Sequence, residues 1–173
     1  MKRLILSSLA AACALAAAST FAASYSPNGT HIPVGTPVGT GGETSVTYAG
    51  TTVSCHSTFY VDVPGSQANT AATVDSAEFR TGQTNGTTDS ALCPQVSQSG
   101  VWTIAPPTSA NDPNNVTITN VSFTIPSVVT CTGSVTGTLT NGNFNFSGTL
   151  QATTGGTCGV TGNLQTTLTA VYP

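Results

Sequence analysis

Catalysis needs a positioned acid, base or nucleophile, and this chain offers few groups that qualify. It has two histidines, His31 and His56, and six carboxylates, Glu43, Asp62, Asp75, Glu78, Asp89 and Asp112. His56 directly follows Cys55, and alternation along a strand turns the two to opposite faces, which makes His56 a surface residue. His31 sits in a proline-rich stretch where spacing sets it no partner. The carboxylates are scattered singly, without the spaced pair of a glycosidase or the loop of a calcium site. A first hairpin brings Asp62 and Glu78 nearest each other, and a solvated polar face accounts for both. Serine is abundant, yet no Gly-x-Ser-x-Gly elbow occurs. Trp102, the single tryptophan, would suit a ligand-stacking platform, but a lone tryptophan in a β-domain is more simply core or rim. No catalytic, cofactor-binding or metal-ligating residue is therefore expected, and no enzyme activity.

The clearest chemistry belongs to Cys55, Cys93, Cys131 and Cys158. No pair has the close spacing of zinc ligands, and only His31 and His56 are at hand to complete a set. An even number of cysteines in an exported chain argues instead for two disulfides, with three connectivities open. The fifth, Cys13, has Ala10 three residues before it where a lipoprotein signal prefers Leu.

Export is expected from the first residues. Met1-Lys2-Arg3, the apolar run Leu4–Leu9 and an Ala-rich exit form a signal peptide over residues 1–22, cleaved after Ala22. The apolar stretch is shorter than the ~20 residues a transmembrane span needs. Charged residues make up 5% of the chain, and beyond the leader Arg80 is the sole strong base. One arginine cannot neutralise a phosphate backbone, which excludes nucleic acid as a partner. Secretion or a periplasmic location follows, with Thr, Ser, Asn and Gly supplying the wet surface.

The elements that must position these residues read as strands. Cys131 to Leu150 folds as a hairpin at Asn141-Gly142, the dipeptide that a type I′ turn favours. A two-residue turn sets Leu139 against Phe144, Gly137 against Phe146, Val135 against Gly148 and Gly133 against Leu150. All lie on one face with Cys131, while the other face is Thr, Ser and Asn throughout. Val53, Cys55, Ser57, Phe59, Val61 and Val63 share one parity, and residues 71–80 and 101–104 read as further strands. The phase of Val116 and Ile118 slips at Asn120 before Val121, Phe123 and Ile125, the mark of a β-bulge. Gly159–Pro173 reads as one last half-buried strand.

Residues 23–42 form a Pro/Gly/Thr-rich lead-in, either a linker or an edge strand whose prolines fall on one parity. Residues 43–173 form a single β-domain. Val53-Ser54-Cys55 parallels Val129-Thr130-Cys131, which suggests pseudo-repeats over about 43–107 and 114–173. That repeat pairs Cys55 with Cys93 and Cys131 with Cys158, one bridge per half. The expected fold is all-β, an antiparallel β-sandwich or barrel built from two disulfide-stapled repeats.

Several short motifs in order then stand out: Pro27-Asn28-Gly29-Thr30, Val53 to Phe59, Val74 to Phe79, Leu92-Cys93, Trp102, and two later cysteines around an Asn-containing hairpin. Together they resemble the exported protein activator of alkane oxidation family of pseudomonads and relatives, over nearly the whole mature chain. The resemblance implies a non-enzymatic accessory factor linked to growth on hydrophobic carbon sources. Its contacts would be hydrocarbon, the cell envelope or a biofilm matrix. The alternative reading is a filament or pilin-like subunit that self-associates, with Ile32–Thr40 completing a neighbour's sheet.

Overall fold

The computed structural model describes residues 24–27, 36–63, 71–84, 87–109, 111–112, 114–140 and 142–171. His31, the leader and Tyr172 lie outside the described residues. Among them, eight strands carry the fold. They are β1 (Thr36–Tyr48), β2 (Thr51–Val63), β3 (Ala72–Arg80), β4 (Trp102–Ala105), β5 (Asn115–Ile125), β6 (Val129–Thr140), β7 (Asn143–Ala152) and β8 (Thr157–Gln165). Each pairs antiparallel with the next in sequence, and β8 pairs antiparallel with β1. The meander thus closes on itself, and of the two architectures expected the barrel is the one formed. Closure leaves no row of unpaired backbone groups along the β1 and β8 edges where they meet.

Alternation decides what goes inside. Val53, Cys55, Ser57, Phe59, Val61 and Val63 of β2 are all buried, and so are Cys131, Val135 and Leu139 of β6 and Phe144 and Leu150 of β7. The intervening Thr132, Ser134, Thr136 and Thr138, and Asn143, Asn145 and Ser147, face out and are largely exposed. This polar outer wall is the inverse of a membrane barrel, which turns an apolar band outward. No helix among the described residues is long and apolar enough to cross a membrane.

The hairpin register is the expected one. Leu139 faces Phe144, Gly137 faces Phe146, and the ladder resumes in the same register at Thr132–Gln151. It is interrupted around Gly133 and Val135 because β5 bulges beside them. There Val121 faces Gly133 and Ile118 faces Val135, so Thr119 and Asn120 together oppose Ser134 alone. Asn120 takes φ 57° to absorb the extra residue. The bulge is what lets Val116, Ile118, Val121, Phe123 and Ile125 all point inward despite their change of parity.

Of the linker and the edge strand left open for the lead-in, residues 36–42 form a strand: β1 begins at Thr36, and Thr36–Gly42 pairs with Val63–Ser57. Residues 36–40 pair with β2 alone, and β8 joins only from Gly41, an arrangement that tolerates the missing N–H of Pro37. At the other end, the single strand expected over Gly159–Pro173 is broken at Thr166. Its N–H donates to the Gly142 carbonyl, 3.1 Å, and its hydroxyl accepts from the Leu168 N–H and meets the Thr40 hydroxyl, each at 3.0 Å. Satisfied by these partners, the backbone leaves the barrel, and Leu168–Val171 pairs with Ser24–Pro27 in a separate ribbon.

Both disulfides join the partners that the repeat implies, Cys55 to Cys93 and Cys131 to Cys158. All four cysteines are buried. Cys93 belongs to a short 3₁₀ turn, Cys93–Gln95, in the long connection between β3 and β4, and its bridge ties that connection to β2.

Candidate functional site

Among the described residues, the ionisable groups do not converge on a reacting centre. His56 and Glu43 are register partners on β2 and β1, with Nδ1 3.2 Å from Oε1. Their side chains are 45% and 33% exposed, which makes this a solvated pair on the outer wall. The His56 backbone N–H donates to Asp89 Oδ2 at 3.1 Å, so the carboxylate pins the β3–β4 connection against β2. Asp62 and Glu78 are not brought together: Asp62 faces Thr73, and Glu78 faces Thr58 and pairs with Arg80. The bulge opposite Tyr60 and Val61 shifts β3 along β2 and adds to their separation. Among the described residues, no group of three or more His, Cys, Asp or Glu side chains is placed to hold a metal ion.

Trp102 is core. It is 4% exposed, stands edge-on to Phe59 with ring centroids 5.4 Å apart, and donates its indole N–H to the Ser122 carbonyl at 3.1 Å. Phe59 is the hub of this interior, meeting Phe79 at 6.4 Å and stacking on Phe146 of the opposite wall at 6.1 Å. Phe59 and Phe79 are diagonal neighbours across the β2–β3 ladder, whereas barrel closure brings Phe146 of β7 against Phe59.

Beside the rings the barrel keeps a cavity of about 40 Å³. Val53, Ile118, Val121, Val135 and Val160 form its depth. Val46, Phe79, Val96 and Phe146, which are only partly buried, also belong to its lining. The polar groups nearby are already occupied. The Thr44 hydroxyl bonds the Ser57 hydroxyl at 2.6 Å, and Ser45 bonds Thr161 at 2.8 Å on the outer side. No Asp, Glu, His, Lys or Arg belongs to the lining. Such a wall offers no proton donor or acceptor for a reaction, and what it favours is an apolar group displacing water. The spacing of residues along the chain gives no sign of this site, because its lining comes from all eight strands and from the β3–β4 connection.

A family model described as alkane oxidation protein activator, PraA/PraB-like, matches residues 1–172. No curated protein and no solved structure matches the chain.

Proposed function

The chain belongs to the alkane oxidation protein activator family, PraA/PraB-like, and from that premise we propose that it is an exported, non-enzymatic accessory protein of alkane oxidation, acting at or outside the cell envelope. The observation that carries the location is the pair of buried disulfides, because such bonds persist where thiols are kept oxidised. The basic-then-apolar leader ending at Ala22 supports the same route. The accessory role follows from the family description together with a site made of apolar walls.

Deleting the gene should slow growth on a liquid n-alkane and leave growth on a water-soluble carbon source unchanged. The full-length chain should restore growth, and residues 23–173 without the leader should not. Equal growth of the deletion strain on both carbon sources would overturn the proposal. The filament reading is disfavoured by β1. Residues 36–40 of its donor strand are already paired with β2 of the same chain, so the mature protein should run as a monomer.

A further inference from the structure

We infer that the barrel cavity seats the methyl end of an unbranched alkyl chain. The inference rests on the proposed accessory role for its choice of hydrocarbon and otherwise on the cavity itself. An eight-stranded barrel is of the size that either fills with side chains or holds one small ligand, and here the filling stops short. Trp102, Phe59 and Ile118 pack one side, and the shorter Val121, Val135 and Val160 leave the remaining space.

The dimensions select the class of ligand. At about 40 Å³ the cavity is well below the ~150 Å³ that admits benzene in an engineered apolar site. A ring is therefore excluded, and the slim end of a linear chain fits. The wall chemistry selects further. With no ionisable lining residue and with the Thr44 and Ser57 hydroxyls bonded to each other, a headgroup finds no partner inside. A carboxylate would be left unpaired at a cost of several kcal/mol, so any polar end stays outside the cavity. The alkyl end is common to a free alkane and a fatty-acyl chain, and only the part beyond the mouth distinguishes them.

The test is equilibrium partition, in glass, of isotope-labelled n-decane, decanoate and benzene into the mature protein with both disulfides intact. Saturable uptake of n-decane at about one per chain, with benzene at least tenfold weaker, is the expected result. Decanoate taken up as well as n-decane identifies acyl chains as a second source, and decanoate excluded identifies free alkane. Val160→Phe, which fills the cavity, should abolish uptake. Phe146→Ala, which widens it, should admit benzene, so that one variant remains informative if the other fails to fold. No saturable uptake of either chain, benzene equal to n-decane, or undiminished uptake by folded Val160→Phe would each overturn the inference. Loss of the inference would leave a growth defect on n-alkane intact, whereas n-decane uptake by a protein whose deletion has no growth defect would sink the accessory role alone.

Discussion

Phe146 lies across Gly162, its register partner on β8, so closely that a side chain at position 162 would penetrate the ring. The ring covers the bare glycine backbone, and the glycine in turn lets the ring lean inward to stack on Phe59. Gly162→Ala should therefore cost about 1–3 kcal/mol by overpacking, read from the urea midpoint. In combination with Phe146→Ala the penalty of the alanine should largely vanish, giving a coupling energy of at least ~0.5 kcal/mol. Additive single effects would show that the two residues do not share one packing constraint.

The disulfides make a second prediction. They close loops spanning sequence separations of 38 and 27 residues, for which the chain-entropy relation gives roughly 3.5–4 kcal/mol each. Replacing either pair by serine should lower stability by about that amount, a large share of the ~5–15 kcal/mol typical of a domain. Non-reduced peptide mapping should return Cys55–Cys93 and Cys131–Cys158 and no cross-pairing.

The bulge in β5 gives a third. Asn120 holds φ 57°, a conformation that asparagine and glycine tolerate and β-branched residues resist. Asn120→Gly should be neutral within about 0.5 kcal/mol, and Asn120→Val should destabilise by about 1–2 kcal/mol. Equal losses for both would place the cost in the asparagine side chain rather than in the backbone.

His56 supplies a fourth, in which almost nothing should change. Its solvated pairing with Glu43 is of the kind that contributes about 0–1 kcal/mol. His56→Gln should shift the melting midpoint by no more than the equivalent of ~0.5 kcal/mol and leave growth on n-alkane unchanged. A growth defect from this substitution would point to chemistry at the outer wall and against a role centred on the cavity.

What the sequence showed and what it hid divide along the range of the interactions. The Asn-Gly dipeptide at 141–142 predicts a two-residue turn and with it a local register, so the pairing of Leu139 with Phe144 could be written down beforehand. Asn120 betrayed its bulge by a change of parity, and the parallel around Cys55 and Cys131 anticipated both bridges. The closure of β8 on β1 had no such signature, because alternation looks the same in a sandwich and a barrel. The start of β1 at Thr36 was obscured by Pro37, Gly39, Gly41 and Gly42, residues that usually mark loops. They are accommodated here because β2 pairs along the whole segment. The cavity was the least visible feature, since it is a gap between side chains from all eight strands.

The pairing of β8 with β1 also sets an order of events. A chain that emerges with its amino terminus first presents β1 long before Thr157–Gln165 is available to cover the other side of Gly41–Thr47. Such long-range pairing is slow compared with local hairpins. During that interval the half-built sheet keeps a bare, glycine-rich border that could capture another chain. The barrel therefore completes only when β8 is available, and the border of β1 is most open to misassembly in the interval before that strand pairs with it.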